Sequence, residues 1–228
     1  MLDPAPRVRL TESTRVEAFS DAVMAIVITI LALELRVPPH EPGQLLGALG
    51  DSWTSAVAVL ISFVRVSVIW LNHHGLFARI RRVDRRLLWL NFGILLTCAI
   101  IPFPTAVLAD ALREGNPLDL RVATVLYALL AALQMASWIP VYPHLRDHPG
   151  LIEPGTDAAF FHAQRVRPLF GVSVDLVAAG AGVVSPLLAL VLWAFSVIFI
   201  AATIEGVRAI PFLARRRPRG PRDEHSAF

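Results

Sequence analysis

The sequence contains no lysine, so its 21 basic residues are all arginines. It has a single cysteine, Cys98, which excludes an intrachain disulfide and a cysteine metal cluster. Charged residues make up only 17% of the 228 residues, whereas 55% are hydrophobic and the mean hydropathy is +0.60. This is the composition of a membrane protein. The net charge of +3 comes from arginines, which are concentrated in alternate loops of the chain. This pattern is typical of a membrane protein whose charged loops set its orientation, and it does not indicate nucleic-acid binding.

The motifs of the common enzyme classes are also missing. The sequence has no Walker loop, nucleophile elbow, HExxH motif or pair of catalytic acids. Gly180 and Gly182 permit close packing of helices in a membrane but do not form a dinucleotide fingerprint. We therefore expect neither an enzyme nor a bound cofactor.

Six apolar segments are long enough, with their flanks, to cross the hydrocarbon core of a bilayer. They predict helices at about residues 15–36, 53–77, 87–108, 122–141, 168–184 and 187–207. The two prolines of the sequence IPFPT, residues 101–105, predict a break or kink at the outer end of the third helix. We predict an all-α integral membrane protein with six transmembrane helices. An arm at residues 1–14 precedes this domain and a basic tail at residues 208–228 follows it.

Arginine is concentrated in four segments of the chain. These are the N-terminal arm, residues 79–86 (RIRRVDRR), the loop 142–167 and the tail. With six helices, all four segments fall on the same side of the membrane. The positive-inside rule therefore predicts that both termini are cytoplasmic.

The first helix carries a carboxylate, Asp21, inside an apolar segment, where it needs a partner or water. The apolar residues that follow recur at helical spacing and form one stripe. The members of this stripe are Ile26, Thr29, Ile30 and Leu33. Asp21 is turned by about 140° from Ile26 around the helix axis. One side of the helix is therefore suited to line a narrow apolar passage, and the other to make polar contacts within the protein.

A second charge lies near the middle of the second helix. Arg65 requires a partner or a water-filled space at that depth. Asp175, at a comparable depth in the fifth helix, is the candidate partner. The alternative is a charge near the permeation path that modulates conduction.

Four histidines invite a comparison with metal sites. His73 and His74 are adjacent, so their side chains diverge by about 100° and cannot jointly hold one ion. His144 and His148 have a better spacing, but they lie in a proline-flanked loop. We interpret these two as solvated loop histidines and expect no metal site.

Three motifs occur within the first 110 residues. The first helix opens with R-x-x-x-F-S-D, formed by Arg15, Phe19, Ser20 and Asp21. The second carries Ser62, Phe63, Val66, Trp70, Asn72, His73 and His74, and the third carries LWLN (residues 88–91) and IPFPT (residues 101–105). Together these motifs resemble the bacterial transmembrane protein 175 family of potassium channels, relatives of an animal endosomal and lysosomal potassium channel.

The resemblance implies a homotetramer in which the first helix of each subunit lines a central pore. The family's pore constriction corresponds to Ile26, Ile30 and Leu33, and its threonine position to Thr29. Four isoleucines around an axis form a narrow ring that excludes water when closed. Potassium sheds its hydration more easily than sodium does and should cross more readily, without the carbonyl filter TVGYG, which is absent. Thr29 either offers its hydroxyl to the ion or bonds back to the carbonyl of Ala25.

The remaining signature residues are interpreted as scaffold rather than pore. Asp21 lies at a depth similar to that of the second-helix residues if the two helices run in opposite directions. We therefore expect a hydrogen-bonded cluster. Its members would be Arg15, Ser20 and Asp21 of the first helix and Trp70, Asn72, His73 and His74 of the second.

The leading prediction is a passive, potassium-preferring cation channel whose partners are potassium ions, bilayer lipid and copies of itself. One alternative is a proton-coupled transporter in which Asp21 and His73 or His74 relay protons. A non-conducting membrane scaffold is the third class.

Overall fold

The computed structural model of the protein describes residues 11–156 and 158–203. Its α-helices are α1 (Ser13–Leu33), α2 (Leu45–Asp51), α3 (Trp53–Phe77), α4 (Arg85–Ala99), α5 (Pro102–Glu114), α6 (Pro117–Ala136), α7 (Val141–Asp147), α8 (Ala158–Val184) and α9 (Pro186–Thr203). Two strands, β1 (Thr11–Glu12) and β2 (Arg82–Val83), and a 3₁₀ turn (Pro149–Leu151) complete the described elements. Most of the predicted N-terminal arm and the whole basic tail lie outside the described residues.

Proline and glycine set the boundaries of α5 and α6. Helix α4 ends at Ala99, and α5 begins at Pro102, where the missing N–H of proline breaks no helical hydrogen bond. Gly115 ends α5 with a φ of 70°, a left-handed conformation that glycine adopts easily. The Asn116 side chain then accepts hydrogen bonds from the first N–H groups of α6. The third predicted helix is thus two helices, broken at the predicted prolines.

Five described stretches are long and apolar enough to cross a membrane. They are Ser13–Leu33, Trp53–Phe77, Arg85–Glu114, Pro117–Asp147 and Gln164–Val184. Helix α9 adds a shorter apolar segment, Pro186–Ile198. The described part of the chain is therefore an all-helical protein with five candidate membrane helices, apart from its one pair of two-residue strands.

The region predicted as the loop 142–167 is largely helical. It contains most of α7, the 3₁₀ turn and the start of α8. Pro168 lies inside α8 and not near its beginning. It removes one backbone donor from the helix, but the helix continues on both sides of it. His144 accordingly lies in a helix and not in a loop, which corrects the sequence-based interpretation.

The arginine-rich segment 79–86 is ordered by backbone pairing on both sides. Strand β2 pairs antiparallel with β1, matching Val83 with Thr11 and Arg82 with Glu12. The Arg81 N–H donates to the carbonyl of Leu151 at 2.8 Å. The end of the N-terminal arm, this segment and the chain after α7 therefore form one hydrogen-bonded structure at the arginine-rich end of the helices.

Helix α1 packs against α3 and α4, and α6 packs against α8 and α9. The largest core cluster joins α1, α3 and α4, and it reaches α7 through the fully buried Leu145. In a membrane this packing stabilises by close van der Waals contact rather than by removal of apolar surface from water. The core therefore fixes the orientation of α1 relative to α3 and α4.

Arg65 is paired with the partner predicted for it. Its Nη2 donates to Asp175 Oδ2 at 3.0 Å and to the carbonyl of Ala131 at 3.0 Å. Both charged side chains are buried. The predicted Arg65–Asp175 pair is confirmed, and it joins α3 to α8.

Candidate functional site

Helix α1 has two different faces. The buried face carries Val16, Ser20, Met24, Val27 and Leu31. The predicted apolar stripe lies about 130° away around the helix axis. Although apolar, it stays uncovered: Ile26 is 58% exposed, Ile30 40% and Leu33 75%.

Thr29 belongs to the same exposed stripe. Its hydroxyl donates to the carbonyl of Ile26 at 2.7 Å, so the bond back to the helix reaches three residues and not the four expected for Ala25. The hydroxyl oxygen keeps its acceptor lone pairs in this arrangement. Thr29 can therefore bond back to its helix and still offer an oxygen to a cation.

Two carboxylates of α1 bind side chains of α3. Trp70 Nε1–H donates to Asp21 Oδ1 at 2.9 Å, and one helical turn away Glu17 Oε1 contacts His74 Nδ1 at 3.0 Å. The order of the partners is reversed along the two helices, as antiparallel packing requires. The Trp70 and His74 rings also stack at a centroid distance of 5.6 Å, so the two pairs support each other.

A buried hydrogen-bond chain connects α3, α4 and α1. His73 Nε2 lies 2.8 Å from Asn91 Oδ1, and Asn91 Nδ2 donates to Ser20 Oγ at 2.9 Å. The Ser20 hydroxyl in turn donates to the carbonyl of Val16 at 2.8 Å. With the amide oriented in this way, the imidazole of His73 must be the donor at Nε2.

The predicted polar cluster is therefore divided into two separate groups. Asp21 binds Trp70, whereas His73 binds Asn91 and His74 binds Glu17. Asn72 belongs to neither group, because its amide donates to the carbonyl of Val68 on its own helix. The expected contact of Asp21 with the second helix is present in its bond to Trp70, but the signature residues do not form one cluster. Neighbouring residues of a helix point in different directions, although they lie at one depth.

The first two named residues of the R-x-x-x-F-S-D motif, Arg15 and Phe19, lie on the exposed side of α1. Arg15 is exposed and makes no hydrogen bond with the described residues. Phe19 is 52% exposed and contacts the edge of Phe92 of α4, with the ring centroids 6.1 Å apart. Both side chains therefore lie at the surface of the single chain.

Sequence reasoning gave no role to two residues that build these groups, Asn91 and Glu17. Asn91 stood in the quoted motif LWLN, and an amide inside an apolar helix is a signal that it has a buried partner. Glu17 was visible only as an acid near the start of the first helix. Its partner could not be chosen without knowing how α1 and α3 are rotated relative to each other.

The geometry fixes one side of α1 and leaves the other side free. The hydrogen bonds of Glu17, Ser20 and Asp21 hold the N-terminal half of the helix to α3 and α4. The apolar stripe follows in the C-terminal half and is left exposed by the described residues of the chain. Such a helix can present a fixed row of apolar side chains to a symmetry axis.

Comparison with known proteins finds relatives of this chain. The family described as endosomal/lysosomal potassium channel TMEM175 matches residues 15–102. A potassium channel of Streptomyces collinus is 40% identical over 163 residues, covering 71% of this chain and 78% of that protein. The endosomal/lysosomal proton channel TMEM175 of Gallus gallus is 32% identical over 163 residues, covering 66% of this chain and 32% of that protein.

A solved structure has the same fold. The lysosomal potassium-selective channel TMEM175 homolog from Chamaesiphon minutus matches with a TM-score of 0.74 at 31% sequence identity, covering 85% of this chain and 98% of that chain. The matched family segment contains α1, α3 and α4, the three helices that build the site. The chain therefore belongs to the TMEM175 family of ion channels.

Proposed function

We propose that this protein is the subunit of a potassium-preferring cation channel, a homotetramer in which α1 of each subunit lines a central pore. The observation that carries this proposal is the uncovered stripe of Ile26, Ile30 and Leu33, which lies on a helix whose other face is held by hydrogen bonds. An apolar stripe can also face lipid. Its assignment to a pore is supported by the potassium channels among the relatives.

The proposed constriction is made of stacked apolar rings. Four copies of Ile26 and four of Ile30 would form two rings about 6 Å apart along the axis, one helical turn. Rings of this kind close a pore by excluding water and open it when they widen slightly. A cation must lose part of its hydration to pass, which favours potassium over the more strongly hydrated sodium. Thr29, between the two rings, supplies hydroxyl oxygens to the partly dehydrated ion.

The proposed topology has six membrane helices, with α9 as the sixth. The arginine-rich end of the helices faces the cytoplasm, because cytoplasmic loops of membrane proteins carry an excess of arginine and lysine. Both termini are then cytoplasmic, and the protein lies in the plasma membrane of a bacterium.

The test is ion flux into liposomes that contain the purified protein. We expect potassium uptake without a proton gradient, and a smaller ratio of potassium to sodium flux in the variant Ile26→Asn. The physical reason is that an amide in the ring hydrates the constriction, which lowers the barrier more for the strongly hydrated sodium ion than for potassium.

The matched control is Ile198→Asn on α9, because Ile198 is 66% exposed and lies far from α1 in the sequence. That variant should keep the selectivity of the unchanged protein. Flux that strictly requires a proton gradient, or equal loss of selectivity in both variants, would contradict the proposal.

Proton permeation is the second candidate, because the Gallus gallus relative is a proton channel. The sequence-based alternative of a proton-coupled transporter required Asp21 to exchange protons with His73 or His74. In the structure Asp21 instead accepts from Trp70, and His73 is enclosed with Asn91. Among the described residues, Glu17 of α1 and His74 of α3 are an acid and an imidazole in direct contact, 3.0 Å apart. Proton flux that is lost in His74→Gln, with potassium flux unchanged, would support this candidate.

A further inference from the structure

Three possible metal ligands meet at the arginine-rich end of the helices, away from the proposed pore helix. Asp84 precedes α4, His144 lies in α7, and His148 follows α7 directly. One ligand atom of each residue lies within 4.8 Å of the others. His144 Nε2 is 3.1 Å from Asp84 Oδ1 and 3.0 Å from Oδ2. Two imidazoles and one carboxylate are a ligand set typical of zinc and related transition metals.

Hydrogen bonds within the group already hold two of the ligands in a suitable state. His148 Nδ1 donates to the carbonyl of His144 at 2.8 Å, so in the neutral ring Nε2 carries the lone pair. Histidines that bind metals usually donate their other N–H in this way. The Leu87 N–H donates to Asp84 Oδ1 at 2.7 Å, which fixes the carboxylate at the start of α4.

Burial distinguishes the two histidines. The side chain of His144 is 1% exposed, and its Nδ1 has no hydrogen-bond partner among the described residues. His148 is exposed and opens the group to solvent. The imidazole rings of His144 and His148 lie 4.3 Å apart at an angle of 36°, so both rings border the same space beside Asp84. A buried, fixed ligand beside an exposed one provides both preorganisation and an entry path.

We propose that Asp84, His144 and His148 bind a divalent transition-metal ion of the zinc class. The ion would join α7 to the start of α4 and to the segment 79–86, next to the pair of strands β1 and β2. Its remaining coordination positions would be open to water at the side of His148. The proposal is independent of the ion that the channel conducts.

The test uses the full chain, purified in detergent and freed of metal, with Zn²⁺ titrated in competition with a chromophoric chelator. We expect one tightly bound Zn²⁺ per chain. His148→Ala should weaken that affinity by more than the roughly 10- to 100-fold that loss of an outer-shell partner typically produces. Because His148 is exposed, its replacement leaves the buried contacts intact. Co²⁺ in place of Zn²⁺ should give visible absorption bands that disappear in the same variant.

The matched control is His40→Ala. His40 is also exposed, and its Nδ1 also contacts a backbone carbonyl, that of Pro38, at 2.9 Å. It does not belong to the group of candidate ligands. This variant should bind Zn²⁺ as the unchanged protein does. Equal Zn²⁺ affinity in the unchanged protein and His148→Ala, or no binding in either, would overturn the proposal. The contact between Asp84 and His144 would then be a hydrogen bond within the protein and not part of a metal site.

Discussion

Asn91 is the side chain through which α4 joins both α1 and α3. Its amide donates to Ser20 and its oxygen lies 2.8 Å from His73 Nε2. All three side chains are buried. A buried polar chain of this kind stabilises only when every member has a partner, so the loss of its central residue affects two helix contacts at once.

Replacing Asn91 by leucine should therefore destabilise the protein. Leucine has the same number of side-chain heavy atoms and the same branching, but His73 Nε2–H loses its acceptor in a buried place, at a cost of about 1–2 kcal/mol. The measurement is the free energy of unfolding in mixed detergent and SDS micelles.

Asn72→Leu is the control, because the amide of Asn72 bonds only to the carbonyl of Val68 on its own helix. It should change the free energy of unfolding by less than half as much. Equal losses of unfolding free energy in the two variants would show that the hydrogen bonds from His73 through Asn91 to Ser20 stabilise the protein no more than the bond of Asn72 does.

A buried ion pair joins two whole helices, α3 and α8. Arg65 and Asp175 lie almost without solvent exposure, at 4% and 0% for their side chains. Arg65 Nε and Nη1 and Asp175 Oδ1 have no partner among the described residues. A cavity of about 30 Å³ lies beside Arg65 and Gln134 and is large enough for a buried water. The pair thus fixes the relative position of α3 and α8 at a high desolvation cost.

Breaking this pair by one substitution should be far more damaging than removing both charges. Arg65→Met and Asp175→Leu should each cost about 3–5 kcal/mol, because the other charge stays buried and unpaired. The double variant should recover most of that loss. A double-mutant cycle on the free energy of unfolding measures the coupling.

An exposed pair of equal length provides the control. Arg113 Nη1 lies 3.0 Å from Asp110 Oδ1, with side-chain exposures of 28% and 49%. Arg113→Met should cost less than about 1 kcal/mol, since solvent screens exposed charges. If Arg65→Met costs no more than Arg113→Met, the buried pair does not hold α3 to α8.

At the scale of the whole molecule, the apolar stripe of α1 stays exposed among the described residues of a single chain. Leu33 is 75% exposed and Ile26 58%, while the opposite face of the same helix is packed into the main core cluster. The proposed tetramer covers these residues around its axis and gives the protein a function that a single chain does not have.

Cross-linking tests this assembly directly. In a Cys98→Ala background, Leu33→Cys should give covalent dimers with a short bifunctional maleimide, because four copies would meet near one axis. Cys98 is buried in the chain, so its removal serves only to exclude side reactions. The products are read on a denaturing gel.

Ile198→Cys on α9 is the comparison variant, since Ile198 is 66% exposed. It should remain monomeric on the gel if α9 lies at the outside of the assembly. Absence of cross-links for Leu33→Cys in the native membrane would argue against a pore formed by α1.

Local signals in the sequence predicted much of the helical architecture. The prolines at 102 and 104 marked the division between α4 and α5. The predicted bounds 168–184 and 187–207 placed the next division where α8 ends at Val184 and α9 begins at Pro186. Residues 142–167 were misread, because short helices such as α7 depend on tertiary contacts rather than on length or hydropathy. His144 is buried in this region for the same reason.

The sequence by itself determined the long apolar helices, the break between α4 and α5 and the apolar stripe of α1, because each depends on spacing along a single segment. It also paired Arg65 with Asp175, since two opposite charges at one depth of a membrane have few other partners. The tertiary structure alone decided that Asp21 binds Trp70, that Asn91 joins three helices, and that Asp84 meets His144 and His148. These contacts depend on the rotation of each helix about its axis and on the path of the connecting segments. Packing of the whole molecule sets both.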